Sequence, residues 1–183
     1  MKNVLIVYGH SNEQNSLSNK TIIDYVKDLP HITIRNLNEV SKDFKFDIKA
    51  EQEALTNADV IVFQFPFHWY SLPAIFKKWL DDVLAFGFAY GPGGDKLAGK
   101  KVVLSFTTGA PADSYSVSGS NNYSVTQLLA PIIQSVNFVN MIVSDTVFSN
   151  GMLYIPDMVG DKNAIQAKAK AHGEKLAKVL EKL

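Results

Sequence analysis

The chain has 183 residues, of which 46% are hydrophobic and 20% are charged, a composition typical of folded globular proteins rather than of disordered or membrane proteins. Its 18 basic residues balance its 18 acidic residues, so no net field favours binding to nucleic acid or to an anionic bilayer. The absence of cysteine excludes disulfides, a thiolate nucleophile and cysteine-based metal sites. The length predicts a single domain over residues 1–183.

Hydrophobic patterning predicts five β-strands that alternate with helices. The strands are predicted, in chain order, at residues 4–8, 32–35, 59–65, 101–106 and 138–147. Helices are predicted at residues 17–29, 49–58, 73–84, 124–136 with a kink at Pro131, and 165–183. Strands that alternate with helices form a parallel sheet covered on both faces, so the predicted fold class is α/β, a three-layer α/β/α sandwich with a five-stranded parallel sheet.

Ligands of such sheets bind beyond the carboxyl ends of the strands. Three loops are predicted there, at residues 9–18, 66–72 and 107–119. The first loop places Ser16 and Ser18 at the start of a helix, where hydroxyls and unpaired N–H groups bind anions. The alternative interpretation is that these serines cap the helix.

The second loop is unusually aromatic, because Phe67, His68, Trp69 and Tyr70 directly follow a strand. These side chains either pack between a helix and the sheet or cover a flat ligand. Residues 107–110 are small, so the backbone there can approach a ligand closely. An anion site beside an aromatic loop predicts a planar heterocycle that carries a phosphate, and flavin mononucleotide (FMN) has that shape.

Other chemistries lack their motifs. The segment GDKLAGKK at residues 94–101 is close to a phosphate-binding P-loop, but it precedes a strand and has Lys101 where a hydroxyl residue would hold magnesium. No G-x-G-x-x-G follows the first strand, and no G-x-S-x-G elbow is present. The histidines have no paired spacing and no accompanying carboxylate cluster, so no metal site is predicted at His10, His31, His68 or His172.

Four segments keep a recognisable order and spacing between about residues 4 and 115: LIVYGHSNEQNSLSN, FQFPFHWYSLPAIFKKWLDDV, GFAYGPGGDKLAGKK and TTGAPADSY. Together they resemble the flavodoxin-fold NAD(P)H:quinone reductases. That family includes DT-diaphorase and the ancillary oxidoreductases of glutathione-gated potassium efflux systems. The resemblance implies a flavodoxin-like sheet with the strand order 2-1-3-4-5.

The resemblance also implies a flavin cofactor, FMN with FAD as the alternative, and NAD(P)H as the co-substrate. The first loop would contact the flavin phosphate and ribityl chain, the aromatic loop the isoalloxazine ring, and the third loop its pyrimidine end. The implied cofactor-binding residues are His10, Ser16, Leu17, Ser18, Pro66, Phe67, His68, Trp69, Tyr70, Thr107, Thr108, Gly109, Ala110 and Tyr115.

The implied catalytic residues are Tyr115 and Asn121. Tyr115 matches the family tyrosine near the flavin carbonyls, where a donor stabilises negative charge. Asn121 stands six residues later, where the family pattern has a histidine, and it can donate a hydrogen bond but cannot carry a proton near neutral pH. A second departure is Ala110, where many members have glycine.

The implied function is an enzyme that reduces quinones, nitroaromatics or similar electrophiles by a two-electron ping-pong reaction with NAD(P)H. The alternative is a flavin-binding regulatory subunit of a potassium efflux transporter, with that membrane protein as its partner. A one-electron flavodoxin is disfavoured by the zero net charge. Neither the choice between NADH and NADPH nor the acceptor follows from the sequence.

The aromatic segment at residues 85–91 would expose an apolar patch on a monomer, which predicts a homodimer interface. The resemblance implies that Phe88 and Tyr90 face the partner's site in this homodimer. The alternative is that both are ordinary core residues. Only five apolar residues precede Gly9, too few for a signal peptide or a membrane span, so a cytoplasmic location is expected.

Overall fold

The structure is a computed structural model that describes residues 2–183. Its five strands form one parallel sheet with the order β2-β1-β3-β4-β5. The strands are β1 (Val4–Tyr8), β2 (Ile32–Asn36), β3 (Val60–Pro66), β4 (Lys101–Thr107) and β5 (Ile142–Ser149). The sheet order and the parallel pairing confirm the predicted flavodoxin-like α/β fold.

Helices cover both faces of this sheet, because each face carries its own buried apolar cluster. The helices are α1 (Ser18–Val26), α2 (Leu37–Val40), α3 (Ile48–Asn57), α4 (Ala74–Val83), α5 (Val125–Leu128), α6 (Ala130–Phe138) and α7 (Lys162–Lys182). One cluster joins α1 and α7 to the sheet, and the other joins α4 and α6 to the opposite face. Within residues 2–183, no helix has both the length and the apolar character that crossing a bilayer requires.

Two predictions between residues 124 and 147 were wrong in detail. The single helix kinked at Pro131 is instead two helices that separate at Leu129, and Pro131 lies in the first turn of α6, where its missing N–H costs nothing. Phe138, the predicted start of the last strand, ends α6 instead, and β5 begins at Ile142. Apolar residues flank this junction on both sides, so periodicity alone did not mark the turn at Asn140, where φ is 58°.

The sheet face that α1 and α7 cover changes character along the strands. It is apolar at the amino ends and polar at the carboxyl ends, where Tyr8, Gln64, Ser105 and Thr107 are buried. Gly173 lets α7 approach α1 closely, because a Cβ at this position would lie 2.8 Å from the Tyr25 side chain. The two helices therefore shield buried polar groups at the edge of the sheet where ligands bind.

Candidate functional site

The loops after β1, β3 and β4 surround one cleft at the carboxyl edge of the sheet. Ten of the predicted cofactor-binding residues line it: His10, Ser16, Leu17, Ser18, Pro66, Phe67, His68, Thr107, Thr108 and Gly109. These residues come from three separate parts of the chain, and the parallel topology brings them together as predicted. Their roles toward a cofactor stay predictions.

Five predicted site residues lie outside the walls of this cleft: Trp69, Tyr70, Ala110, Tyr115 and Asn121. Trp69 is 92% exposed and follows His68, the last cleft residue of its loop. Tyr115 is half-buried and packs against the apolar cluster that α4 and α6 cover. Tyr70 and Asn121 contact each other through a hydrogen bond of 3.2 Å from the Tyr70 hydroxyl to Asn121 Oδ1. The side-chain nitrogen of Asn121 is buried without a partner in the described chain.

The start of α1 lies in the cleft with its backbone donors unused. No side chain caps this helix, and Leu17 occupies the N-cap position, so the alternative that Ser16 or Ser18 caps it is wrong. The N–H groups of Ser18, Asn19 and Lys20 donate to no group within residues 2–183. Unpaired N–H groups at a helix start form an anion site.

Two serine hydroxyls beside this helix start have different environments. Ser18 Oγ donates to the carbonyl of Met152 at 3.0 Å, so it is already engaged. Ser16 Oγ is buried and has no hydrogen-bond partner among the described residues. The Tyr8 hydroxyl lies beside it, also without a bond of normal geometry, and burial raises the pKa of Tyr8. A buried hydroxyl without a partner is costly, and a ligand atom in the cleft would supply one for Ser16 Oγ.

His10 is held at the cleft by its neighbours. The Asn38 side chain accepts from the His10 N–H at 3.2 Å and donates to its carbonyl at 2.8 Å. The Asn12 N–H donates to His10 Nδ1 at 3.0 Å. Burial, with a smaller contribution from His68, lowers the pKa of His10 to about 4. The ring is therefore neutral at pH 7, accepts at Nδ1 and carries its hydrogen on Nε2, which can donate to a ligand.

The aromatic loop contains a two-residue turn in an unfavourable backbone conformation. His68 and Ser71 exchange N–H···O bonds of 3.0 and 3.1 Å across it. Between them, Trp69 has φ of 48° and Tyr70 has φ of 64°, a left-handed region that bulky residues rarely adopt. This turn directs the indole of Trp69 into solvent at the end of the loop that lines the cleft.

The loop after β5 forms one wall of the cleft, and this wall was not predicted from the sequence. Met152, Leu153 and Tyr154 line the cleft from this side. The N–H of Met152 donates to the Thr108 carbonyl at 2.9 Å, and the N–H of Gly151 donates to the Ala110 carbonyl at 2.8 Å. The rule that singled out the loops after β1, β3 and β4 also applies to the loop after β5, which the sequence prediction did not include.

The described walls of the cleft carry neutral hydrogen-bond donors rather than charged side chains. None of the lining side chains in the described part of the chain is an aspartate, glutamate, lysine or arginine. An anion would be bound by backbone N–H groups and hydroxyls rather than by a counter-charge. Across residues 2–183, no three histidine or carboxylate side chains are grouped so that they could hold a metal ion.

Comparison with known proteins identifies a matching family and several relatives of this chain. Residues 2–176 match the model of a family described as having a flavodoxin-like fold. The chain is 40% identical over 137 residues to a Bacillus subtilis protein named uncharacterized NAD(P)H oxidoreductase YdeQ, and this match covers 75% of this chain and 70% of that protein. It is 36% identical over 179 residues to the potassium-efflux ancillary protein KefF of an Enterobacter species, and this match covers 94% of both chains.

Among solved structures, one similar protein is general stress protein 14 of Treponema denticola in complex with FMN. It superposes with a TM-score of 0.87 at 28% identity and covers 98% of both chains. The sheet order, the family match and the relatives agree, and the chain belongs to the flavodoxin-like family that includes NAD(P)H oxidoreductases and potassium-efflux ancillary proteins.

Proposed function

We propose that the chain is an FMN-dependent NAD(P)H oxidoreductase that reduces quinones or similar electrophiles in a two-electron ping-pong reaction. The observation that carries the proposal is the uncapped start of α1 beside the buried, unpartnered hydroxyl of Ser16. This donor set lies in the same cleft as His68 and Phe67 of the aromatic loop. Similarity to an FMN complex and to NAD(P)H oxidoreductases supports it.

The phosphate end of FMN fits the donors at α1. The free N–H groups of Ser18 and Asn19, with Ser16 Oγ, would satisfy phosphate oxygens, and the helix dipole favours negative charge at this point. Neutral His10 adds a donor at Nε2. In this assignment Ser18 acts through its backbone N–H, because its hydroxyl already donates to Met152.

The ring end would contact the loops after β3 and β4. Pro66, Phe67 and His68 line this part of the cleft, and Thr107 to Gly109 line the neighbouring part. Trp69 would cover the ring edge from the rim. Its 92% exposure is costly for a free indole and is explained if a flat ligand packs against it.

FMN held in this cleft would supply two-electron hydride chemistry between NAD(P)H and the acceptor, and the two substrates would enter the same open side of the cleft in turn. The chain itself orients the cofactor and places donors where negative charge develops. We assign this role to Tyr115 and to the unpartnered side-chain nitrogen of Asn121, both in the segment that follows the cleft wall after β4. Neither residue lies in the walls of the cleft, so each would have to contact ligand atoms that lie outside these walls.

The experiment that tests this proposal is an anaerobic visible spectrum. Purified protein is reconstituted with FMN, titrated with NADPH and then given the quinone menadione. Bleaching of the flavin band by NADPH, followed by its recovery with menadione, is the expected result. Protein that takes up no FMN would contradict the proposal, and so would bound FMN that stays oxidised. Ser16→Ala is the matched variant, since it removes the hydroxyl assigned to the phosphate.

A second candidate function is regulation of a potassium efflux transporter. It is favoured by the 36% identity to KefF over 94% of the chain. Bound FMN that NADPH does not reduce, together with co-purification of a membrane transporter, is the outcome that would favour this function over turnover.

A homodimer remains part of the proposal. Phe86 is 67% exposed, and the exposed rings of Tyr90 and Phe138 lie 5.6 Å apart beside it, which forms an apolar patch. Phe88 is half-buried against the core, so the alternative interpretation as a core residue suits it better than a place at the interface. Sedimentation of the wild type and of Phe86→Ser at micromolar concentration tests this. A wild-type monomer would contradict the proposal.

A further inference from the structure

A buried chain of hydrogen bonds connects the cleft to α7. Asn19 Nδ2 donates to Thr107 Oγ1 at 3.0 Å, and Gln64 Nε2 donates to Asn19 Oδ1 at 2.8 Å. Ser105 Oγ donates to Gln64 Oε1 at 2.6 Å and lies 2.9 Å from His172 Nε2. All five residues are at most 3% exposed, so water does not compete for these bonds.

The chain of bonds ends at a partly exposed residue on β5. Ser149 Oγ lies 2.9 Å from Nδ1 of His172. Burial, with a smaller contribution from Lys175, lowers the pKa of His172 to about 4. The ring is therefore neutral at pH 7, with one nitrogen that donates and one that accepts.

These bonds constrain one another in direction. Because the Ser105 hydroxyl donates to Gln64, it must accept from His172, so the imidazole hydrogen is on Nε2 and Nδ1 accepts from Ser149. Every donor in this series of hydrogen bonds then points toward Thr107. The Thr107 oxygen accepts from Asn19, and its own hydrogen has no acceptor within residues 2–183. Thr107 lines the cleft, where a ligand atom can accept this hydrogen.

We propose that this buried chain makes the Thr107 hydroxyl a fixed hydrogen-bond donor to the ligand of the cleft, and that His172 is the positioning residue that sets its direction. The inference rests on the proposed function for the identity of the ligand, FMN. The opposite direction requires the other tautomer of His172 and both amides reversed, and Thr107 would then donate to Asn19 and present only lone pairs to the cleft.

His172 is well placed for this role although it does not line the cleft. It lies on α7 next to Gly173, whose missing side chain allows α7 to pack closely on α1, the helix that carries Asn19. Ser105 and Gln64 are directly paired on neighbouring strands, so their side chains share the face that these two helices cover. A buried network in which every residue is hydrogen-bonded to its neighbour tolerates little rotation.

The first measurement is the tautomer of His172 in the protein without flavin, from ¹⁵N chemical shifts of the imidazole. We expect Nδ1 unprotonated and Nε2 protonated at pH 7. The Nδ1-protonated tautomer would overturn the inference, and it would do so whether or not the protein binds FMN.

The second measurement is a double-mutant cycle on the dissociation constant of FMN, followed by fluorescence quenching. Thr107→Val keeps the shape and removes the hydroxyl, and it should weaken binding by about fivefold, the order expected for one hydrogen bond. His172→Leu should weaken binding by two- to fivefold in the wild-type background and have no effect in the Thr107→Val background. Additive effects would overturn the inference, because they would mean that His172 does not act through Thr107.

Three further variants separate positioning from general stability. His172→Gln should restore most of the affinity, because its side-chain nitrogen can donate to Ser105. Leu176→Ala removes a fully buried side chain one turn along α7 and should lower stability without changing the affinity for FMN. Ser144→Ala removes a β5 hydroxyl whose one hydrogen bond within residues 2–183 is to the Val102 carbonyl, and it should leave the affinity for FMN unchanged. If His172→Leu does not fold, Ser105→Ala interrupts the same series of hydrogen bonds and takes its place in the double-mutant cycle.

Failure of the two proposals can be told apart. A protein with the expected tautomer that takes up no FMN contradicts the proposed function, and it leaves the hydrogen-bond direction supported by the tautomer. A protein that binds FMN and reduces quinone with NAD(P)H at the normal rate, but shows additive effects in the double-mutant cycle, contradicts the inference and leaves the proposed function in place.

Discussion

The hydroxyl of Tyr70 donates to Oδ1 of Asn121 across 3.2 Å and thereby joins the loop after β3 to the loop after β4. Asn121 is further held by its own N–H, which donates to the Ser114 carbonyl at 3.0 Å. The residue that departs from the pattern of the quinone reductases is thus engaged with the aromatic loop. It leaves a buried side-chain N–H₂ group free to donate.

Tyr70→Phe should loosen this junction without unfolding the protein. Tyr70 is 46% exposed, so we expect the free energy of unfolding to fall by no more than about 1 kcal/mol. Hydrogen exchange of the segment at residues 112–122 should become faster, because the loop loses its contact with the neighbouring loop. Tyr123→Phe is the control, since this exposed tyrosine makes no side-chain hydrogen bond in the described chain. Equal exchange in the two variants would contradict the prediction.

Trp69→Gly should leave the fold intact and weaken FMN binding by tenfold or more. Glycine adopts the left-handed conformation of this position without strain, so we expect the free energy of unfolding to change by less than about 1 kcal/mol. The loss of affinity follows from removing the indole that we propose covers the ring, and fluorescence titration with FMN measures it.

A matched control for this variant exists on another turn. Lys42 and Lys45 exchange two N–H···O bonds of 2.9 Å across Asp43 and Phe44, which have φ of 51° and 58°. Phe44 is likewise exposed and does not line the cleft. Phe44→Gly should change stability by a similar amount and leave FMN affinity unchanged. Equal losses of affinity in the two variants would contradict the role of Trp69.

Ser16→Ala and Ser18→Ala should have opposite effects on the protein without flavin. Ser16 Oγ is buried without a partner, so its removal should leave the free energy of unfolding unchanged or raise it by up to about 1 kcal/mol. Ser18→Ala removes the donor to the Met152 carbonyl and should lower stability by about 1 kcal/mol. Urea unfolding of the two variants measures this difference.

The two serine variants should also differ in their affinity for FMN. We expect Ser16→Ala to weaken binding by about tenfold, because it removes a charge-assisted bond to the phosphate. Ser18→Ala should weaken it less, since its backbone N–H remains. A Ser16→Ala protein that binds FMN like the wild type would show that this hydroxyl does not face the phosphate.

Stability should fall as the pH is lowered from 7 to 5. The pKa values of His10 and His172 are both lowered to about 4 by burial, below the value of about 6.5 of an unfolded histidine. The unfolded chain therefore binds more protons in this range, so the stabilisation is fully present above pH 6.5 and is lost as the pH falls toward 4. Urea unfolding at a series of pH values measures the slope.

A variant of His172 measures how much of this pH dependence comes from that residue. His172→Gln removes one of the two buried histidines and should reduce the dependence by up to about 1.4 kcal/mol per pH unit, the value for one proton. Ser144→Ala retains both histidines and should keep the slope of the wild type. An unchanged slope in His172→Gln would mean that His172 binds protons equally in the folded and unfolded states.

Much of the fold and part of the cleft could be predicted because they depend on short-range patterns. The apolar run of β1 and the alternation of strands and helices follow from residues close in sequence. Parallel pairing then brings the ends of β1, β3 and β4 to one edge, so Ser16, Phe67 and Thr107 meet in one cleft as expected. Each of these steps uses only periodicity and the geometry of a parallel sheet.

The chain direction at Asn140 and the extent of β5 were not predictable in the same way. The apolar residues around Phe138 suit both a helix end and a strand, and only packing against the sheet chooses between them. The cleft wall formed by Met152 and its neighbours lies in the loop after β5, which the prediction of ligand-binding loops did not include. One signal was overlooked, which is that Gln64 and Ser105 interrupt otherwise apolar strands and so require buried partners.

Most strands and helices could be predicted because they depend on local propensity, and chain connectivity placed the loops after β1, β3 and β4 at the carboxyl edge of the sheet. The order of the strands was implied by the family resemblance. Which polar atoms are satisfied depends instead on the folded molecule. Ser18 bonds Met152 across 134 residues, and Asn19 bonds Thr107 across 88. Such contacts depend on distances of a few ångströms between residues far apart in the chain. The free hydroxyl of Ser16 and the direction of the bonds that end at His172 therefore emerge only from the folded molecule.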